Sequence, residues 1–255
     1  MKLFSRIYGE GKPLIILHGL FGMSDNWNAL GKKFADHYNV HILDLRNHGR
    51  SPHADDFSYR DLSDDLLEYI DSNKLSSPII MGHSLGGKVA LNFAFAHSSK
   101  LSKVIVLDIA PKVYQTDFHK KILNILINLP LYKFQKRLEV DSYLADFIED
   151  QSLRSFLLKN LKRGGDDKYE WRFNIDALYA KLDNIKEANF LRGTLSIPVV
   201  FVKSENSDYI MKEDIQLINK HFSNYEMITM KNVGHWLHAE NPLEFYKLIC
   251  DKCLN

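Results

Sequence analysis

Six short apolar runs, each bounded by turn residues, constrain the fold of this chain more than any other feature. They are P-L-I-I-L at 13–17, V-H-I-L-D-L at 40–45, P-I-I-M at 78–81, K-V-I-V-L at 103–107, P-V-V-F-V at 198–202 and E-M-I-T-M at 226–230. Nearly continuous apolar runs are typical of strands buried on both faces, and their alternation with helical segments favours parallel β-α-β units. Residues 2–8 add a candidate antiparallel edge strand. We therefore predict an α/β fold with a mostly parallel sheet of about seven or eight strands, flanked by helices.

The alternation stops between the fourth and the fifth run. Residues 111–191 contain no convincing strand, and they show helical patterns over 117–128, 131–138, 140–147, 151–160 and 175–182. We predict that residues 112–191 form a helical cap, inserted into a core domain of residues 1–111 and 192–255. Residues 117–129 are too apolar for a helix that faces only solvent. Packing against the core is the favoured explanation, and a pocket wall or a weak membrane-surface helix are the alternatives.

Composition argues against several classes of protein. The 255 residues fit one large α/β domain with an insertion, and 33 Lys and Arg balance 32 Asp and Glu. A net charge this small does not favour a nucleic-acid partner. No apolar stretch is long enough for a signal peptide or a transmembrane helix, so we expect a cytoplasmic protein. The two cysteines, Cys250 and Cys253, close the last helix, where a redox C-x-x-C pair is not expected.

The strongest chemical signal is G-H-S-L-G-G at residues 82–87. It follows the run P-I-I-M and precedes a helical pattern, which is the strand-turn-helix context of a G-x-S-x-G nucleophile elbow. So tight a turn forces the serine into a strained backbone conformation and leaves no room for side chains at the flanking glycines. The helix that follows begins beside the hydroxyl, and its dipole favours negative charge there. Ser84 is therefore the predicted nucleophile.

A serine that attacks an acyl carbon generates an anionic oxygen, which needs N–H donors already in place. One donor is expected from the residue after the serine, Leu85, and another from the loop after an early strand. The motif H-G-L-F-G at 18–22 follows the first buried run. Leu20 is the predicted second donor of this oxyanion hole, and Phe21 is the adjacent alternative.

The general base is expected near the end of the chain, because triads on such scaffolds follow the order serine, acid, histidine. Among eleven histidines, His235 follows the last apolar run, and His238 is its near competitor. Two aspartates could hold the imidazole. Asp108 ends the run K-V-I-V-L, at a strand end where this architecture concentrates functional side chains. Asp208 follows the next strand, and we favour Asp108 over it.

These motifs resemble those of the α/β-hydrolase superfamily and, within it, the small esterase group typified by the bacterial esterase YbfF. The resemblance extends from about residue 13 to residue 242. The elbow is shared by the whole superfamily, whereas R-N-H-G and W-R-F-N are more specific to the group. The motifs are H-G-L-F-G at 18–22, D-L-R-N-H-G-R-S at 44–51, G-H-S-L-G-G at 82–87, L-D-I-A-P at 107–111, W-R-F-N at 171–174, E-N-S-x-Y at 205–209 and G-H-W-L-H-A-E at 234–240.

The resemblance implies an α/β-hydrolase fold and a triad of Ser84, Asp108 and His235. It also implies that Ser207 replaces the usual acid and lies close to the histidine. Asp208 stands where relatives often have proline, which keeps it as a backup acid. Members of the group resemble one another in hydrolysing short to medium acyl esters and acyl thioesters, so a small-molecule ester or thioester is the implied substrate.

The chemistry of a serine triad requires no metal and no organic cofactor. The alternatives to an esterase are a thioesterase, a C–C bond hydrolase or lyase that uses the same triad, and a binding protein that kept only the fold. Arg46, Asn47 and His48 are expected to serve the turn on which they lie. The sequence predicts neither the acyl chain length nor the oligomeric state.

Overall fold

The core of the protein is a seven-stranded sheet. The structure, a computed structural model, describes residues 1–114 and 117–254, and residues 115, 116 and 255 of the predicted cap and core ranges lie outside the described residues. In the described part the sheet has the order β1-β3-β2-β4-β5-β8-β9, in which β1 and β3 are antiparallel and all other neighbours are parallel. The predicted α/β fold and its antiparallel edge strand are confirmed. The strands are β1 (Ser5–Tyr8), β2 (Lys12–Leu17), β3 (Tyr38–Leu43), β4 (Ile79–His83), β5 (Lys103–Leu107), β6 (Leu161–Arg163), β7 (Tyr169–Trp171), β8 (Val199–Ser204) and β9 (Tyr225–Met230).

Helices cover both faces of this sheet, which explains why its strands are apolar along their length. Leu14 and Ile16 of β2 pack on one face, and Ile15 and Leu17 pack on the other. Each fully buried aliphatic side chain of this kind contributes about 1.5–3 kcal/mol by leaving water. The helices are α1 (Asn28–Phe34), α2 (Tyr59–Ser72), α3 (Leu85–His97), α4 (Phe118–Ile127), α5 (Arg137–Ala145), α6 (Gln151–Leu158), α7 (Ile175–Ala180), α8 (Asp214–His221), α9 (Leu237–Glu240) and α10 (Pro242–Leu248).

The strand order reverses direction in the middle of the sheet. From β2 the chain moves outward to β3, and it then returns to place β4 on the other side of β2. Loops that leave the carboxyl ends of β2 and β4 must therefore diverge, and they open a crevice between them. The loop after β2 begins at His18, and the turn after β4 carries Ser84, so the topology brings these two motifs together.

The segment between β5 and β8 contains α4 to α7, and two sequence expectations for it are wrong. The helix expected at 131–138 is only a 3₁₀ turn at Leu131–Lys133, because the chain extends at Phe134 before α5 begins. The segment also contains strands, since β6 and β7 form an antiparallel pair. Each of these strands has three residues, which is too short for an alternating pattern to be visible in the sequence.

Packing accounts for the unusually apolar helix α4. Ile122, Leu123 and Leu126 are buried in the same hydrophobic cluster as Phe21 and Leu85 of the core. The segment between β5 and β8, which we call the inserted segment, therefore shares one continuous apolar interior with the seven-stranded sheet and its flanking helices. No helix in the described residues is both long and apolar enough to cross a membrane.

Candidate active site

Ser84 lies on a sharp turn between β4 and α3, at the centre of the sheet. Its backbone angles, φ 52° and ψ −116°, are strained for any residue other than glycine. The turn is so close to its neighbours that a Cβ on Gly82 would collide with the backbone of Gly86, and one on Gly86 would lie 2.5 Å from the carbonyl oxygen of Leu17. The Ser84 amide donates to the carbonyl of Leu107 at 3.0 Å. These contacts explain why both glycines are required for this turn.

Asp108 follows β5, the strand next to β4, and is completely buried. One carboxylate oxygen, Oδ2, accepts hydrogen bonds from His235 Nδ1 at 2.9 Å and from the hydroxyl of Ser207 at 2.5 Å. The other oxygen, Oδ1, accepts one from the amide of Ser204 at 2.9 Å. A carboxylate with this set of donors is held in one orientation. Ser207 of the motif E-N-S-x-Y thus lies directly against the candidate acid.

His235 lies on the loop after β9 and points its ring towards the crevice. Its side chain is 17% exposed, and its ring stacks on that of Tyr209 with centroids 3.8 Å apart. Because Nδ1 donates to Asp108, the other nitrogen, Nε2, carries the lone pair in the neutral ring. Among the described residues, Ser84 Oγ has no hydrogen-bond partner, and such bonds often form only when substrate is bound.

His238 and Asp208, the alternatives to the candidate base and the candidate acid, lie in environments that differ from those of His235 and Asp108. The His238 ring lies flat against Trp27, with centroids 4.0 Å apart, and burial lowers its pKa to about 3. It is 6% exposed, and its described contacts include no hydrogen bond to Asp108. Asp208 is exposed at the surface and makes no hydrogen bond to His235 within the described part of the chain. The structure thus brings His235 together with Asp108 and not with Asp208.

Residues 19–22, which we call the oxyanion loop, follow β2 and adjoin Ser84. The carbonyl oxygen of Gly19 accepts hydrogen bonds from His18 Nδ1 at 2.8 Å and from the Gly22 amide at 2.9 Å. The C=O and N–H of a trans peptide point in opposite directions, so this arrangement turns the Leu20 amide away from those donors. Phe21, the adjacent alternative, already donates its amide to His48 Nε2 at 3.3 Å. The geometry therefore favours Leu20 over Phe21 as an available donor.

Leu85 is the other predicted donor, and it is the first residue of α3. The first four amides of an α-helix have no partner within the helix. Leu20 and Leu85 line the same cavity as Ser84. The arrangement can thus present two backbone donors to an oxygen bound beside the serine hydroxyl.

Two buried histidines link the oxyanion loop to the turn after β3, and sequence reasoning assigned them no such contact. His18 Nε2 accepts the amide of Leu45 at 3.0 Å, while His48 Nε2 accepts the amide of Phe21. The link is therefore reciprocal, because His18 directly precedes the oxyanion loop and His48 lies on the turn after β3. Burial lowers the pKa of His18 to about 4 and that of His48 to about 3, which keeps both rings neutral and able to accept. The motif R-N-H-G was visible in the sequence, but the contact of its histidine with the oxyanion loop was not.

We expect the free energy of unfolding to decrease as the pH falls from about 6.5 towards 4, because of His18, His48 and His238. Their folded pKa values of about 4, 3 and 3 lie below the ordinary value of 6.5, so the unfolded chain binds more protons in this range. The stability that the neutral rings contribute is complete above pH 6.5 and is lost as the pH falls towards the folded values. The loss at pH 5 is on the order of 2 kcal/mol per histidine.

Urea denaturation at pH 7.5 and at pH 5 measures this difference in stability. A His238→Gln variant should show a smaller difference in unfolding free energy between the two pH values, since it removes one of the rings whose pKa burial lowers. Equal unfolding free energies for the native protein at both pH values would contradict the prediction.

Ser84 opens into a small cavity of about 50 Å³, which is also lined by Leu85 and Lys88. Burial lowers the pKa of Lys88 to about 7, and its ammonium group donates to the carbonyls of Lys112 at 3.1 Å and Lys186 at 3.0 Å. Lys88 therefore ties both ends of the inserted segment to α3, the helix that begins at the candidate nucleophile.

A much larger groove of about 790 Å³ is lined by His235 and Trp236. The inserted segment contributes Phe118, Leu153 and Phe156 to its wall. A separate surface cavity of about 670 Å³ beside α2 and α3 contains none of the candidate site residues. The residues that line both the small cavity and the groove are Leu20, His119 and Tyr209.

Comparisons with known proteins agree on one family. The sequence profile of the alpha/beta hydrolase family matches residues 14–248. The chain is 32% identical over 241 residues to the sn-1-specific diacylglycerol lipase ABHD11 of Mus musculus, and the alignment covers 91% of this chain and 78% of that protein. It is 27% identical over 233 residues to esterase YbfF of Escherichia coli K12, and that alignment covers 91% of this chain and 89% of the esterase. A solved structure described as a marine microorganism esterase has a TM-score of 0.94 and 42% identity, with 98% of both chains covered.

Proposed function

Because this chain belongs to the α/β-hydrolase family and is a carboxylesterase-type hydrolase, we propose that it cleaves short to medium acyl esters through an acyl-enzyme on Ser84. In this proposal Asp108 and His235 complete the triad. The observation that carries the proposal is the hydrogen bond from His235 Nδ1 to Asp108 Oδ2 at 2.9 Å. With Nδ1 engaged in this way, Nε2 is left as the acceptor that a general base needs.

The first half of the proposed reaction forms the acyl-enzyme. Ser84 Oγ attacks the ester carbonyl carbon while its proton passes to His235 Nε2. The carbonyl oxygen becomes an oxyanion and accepts hydrogen bonds from the amides of Leu20 and Leu85. As the carbon–oxygen bond to the alcohol breaks, His235 returns the proton to the leaving oxygen. Asp108 holds the imidazole in its tautomer and stabilises the transient imidazolium.

The second half repeats these steps with water as the nucleophile. His235 removes a proton from water, the resulting hydroxide attacks the acyl carbon, and Ser84 departs with the proton that His235 returns. The products are a carboxylic acid and the regenerated hydroxyl. The residue types require no metal ion or organic cofactor in any of these steps.

The proposal is tested with a p-nitrophenyl ester and a fluorophosphonate probe on the purified protein. We expect turnover of p-nitrophenyl butyrate and labelling of one site, which peptide mass spectrometry should identify as Ser84. A thioester and a diketone of similar size, assayed in parallel, separate an esterase from a thioesterase and from a C–C bond hydrolase. Absence of both turnover and labelling would contradict the proposed function.

We expect the small cavity to hold the acyl group and the groove to hold the alcohol, so short acyl chains should be preferred. Forcing extra methylenes into a packed cavity costs about 1–3 kcal/mol, and 1.4 kcal/mol is a factor of ten in rate. The value of kcat/KM for p-nitrophenyl butyrate should therefore exceed that for the dodecanoate by about tenfold or more.

A matched series of acetate esters with alcohols of increasing size serves as the control for this prediction. Because the groove has about 790 Å³ of space against about 50 Å³ in the cavity, the rates in this series should depend only weakly on alcohol size. A flat profile across acyl lengths, or a steep decrease with alcohol size, would contradict this orientation of the substrate.

A further inference from the structure

Asn160 lies on the turn that follows α6 in the inserted segment, yet its side chain reaches the oxyanion loop. Its side-chain nitrogen donates to the carbonyl oxygen of Phe21 at 2.7 Å and, over 3.4 Å, to that of Leu157. Both partners are acceptors, so the amide nitrogen, and not the amide oxygen, must face them. Asn160 is only 1% exposed, and its own backbone carbonyl accepts the amide of Arg172 at 2.8 Å. The side chain is therefore held in place by its surroundings.

Three successive peptide groups of the oxyanion loop are each held by a different partner. The Gly19 carbonyl accepts from His18 Nδ1, the Phe21 amide donates to His48, and the Phe21 carbonyl accepts from Asn160. Leu20 lies between these anchored peptides, so neither of its neighbours is free to rotate. The loop needs such restraint because Phe21 has a φ of 62°, in the left-handed region that disfavours an aromatic residue.

We infer that Asn160 and His48 are positioning residues that keep the Leu20 amide aimed at the oxyanion, so that the inserted segment completes the oxyanion hole of the core. This inference rests on the proposed function, because it takes Leu20 as an oxyanion donor. Neither residue contacts the reacting atoms. Both act through the backbone of Phe21, since His48 binds its amide and Asn160 binds its carbonyl.

Replacing Asn160 with aspartate tests the inference with almost no change of volume. An ionised carboxylate has no proton to donate and repels the Phe21 carbonyl, so at pH 8 we expect kcat/KM to fall about 10–100-fold. That is less than the 10²–10³-fold loss typical of removing an oxyanion donor outright. A protonated aspartate regains the donor, and burial raises the pKa of such a group. The ratio of variant to native kcat/KM should therefore rise about fivefold or more between pH 8 and pH 5.5.

The two histidines beside Phe21 have pKa values below the range from pH 5.5 to 8. His48 and His119 contact Phe21 from the turn after β3 and from α4, and burial lowers their pKa values to about 3 and about 4. The cations nearby are Lys159 beside Asn160 in the chain, Arg172, whose amide donates to Asn160, and Arg137, which donates to the Leu161 carbonyl.

Asn128→Asp is the matched control, since Asn128 is an exposed asparagine of the same segment. Its side chain donates locally, to the Asn124 carbonyl at 2.8 Å. The ratio of its kcat/KM to that of the native protein should not change with pH. A flat ratio for Asn160→Asp, or an equal rise for Asn128→Asp, would overturn the inference. A native protein that neither turns over ester nor labels at Ser84 would instead refute the proposed function.

A second variant covers the case in which Asn160→Asp does not fold. Asn160→Ala removes the donor without adding charge, and it can be assayed on an ester and on the thionoester of the same acid. Sulfur is a weak hydrogen-bond acceptor, so the oxyanion hole accelerates the ester more than the thionoester. We expect Asn160→Ala to lower the ester-to-thionoester rate ratio several-fold, and an unchanged ratio would show that Asn160 serves packing alone.

Discussion

Replacing Ser84 with alanine should lower kcat for p-nitrophenyl butyrate by about 10⁴-fold or more, because no other group can form the acyl-enzyme. The substitution removes one oxygen atom and leaves the turn intact, so the protein should fold as before. Steady-state kinetics and thermal unfolding measure the two effects separately. Fluorophosphonate labelling should be lost together with activity.

The strain at this turn provides an internal check on the serine variants. Ser84 has φ 52° and ψ −116°, a conformation that glycine adopts without strain. Ser84→Gly should therefore be as inactive as Ser84→Ala but unfold at an equal or higher temperature. Ser99→Ala, at an exposed serine near the other end of α3, should keep native activity. Residual activity above about 1% of native in Ser84→Ala would remove this hydroxyl from the mechanism.

Replacing Asp108 with asparagine should lower kcat by about 10⁴-fold while the site keeps its shape. The Ser204 amide donates to one side of the carboxylate, so the asparagine must place its oxygen there and its NH₂ group towards His235. His235 Nδ1 would then have to accept a hydrogen bond, which moves the ring proton to Nε2. In that tautomer the ring presents a proton to Ser84 and cannot remove one.

Asp208→Asn is the matched control for this substitution. Asp208 is exposed and lies one residue from Ser207, whose hydroxyl donates to Asp108. We expect this variant to retain about half of native activity or more, as is typical of surface substitutions. Substantial activity in Asp108→Asn that disappears in the double variant would establish Asp208 as a working backup acid.

The sequence was sufficient to predict those features whose physical cause lies between residues close together in the chain. The elbow at 82–87 is such a case, since the steric reason for Gly82 and Gly86 lies within the turn and the strand beside it. The parallel strands are another case, because burial on both faces leaves a near-continuous apolar run. The short strands β6 and β7 were missed for the opposite reason, as three residues are too few to show a period.

Contacts between segments that are far apart in the chain could not be predicted from such local signals. The choice between Asp108 and Asp208 depends on where the loop after β9 places His235, and both aspartates follow strands at plausible positions. His48 and Asn160 each contact Phe21 from a different part of the chain. No spacing rule relates residues that are separated by 27 and 139 positions.

The sequence by itself determined the sheet, the strained serine turn and the residue types available for acid, base and oxyanion donors. These follow from steric exclusion and apolar periodicity, which act between residues close in the chain. The sequence favoured Asp108 over Asp208, but only the tertiary structure brought the imidazole within hydrogen-bonding distance of Asp108 and selected the side chains that hold the oxyanion loop. Hydrogen bonds require two groups to approach within about 3 Å, and for segments far apart in the chain only the folded packing sets that distance.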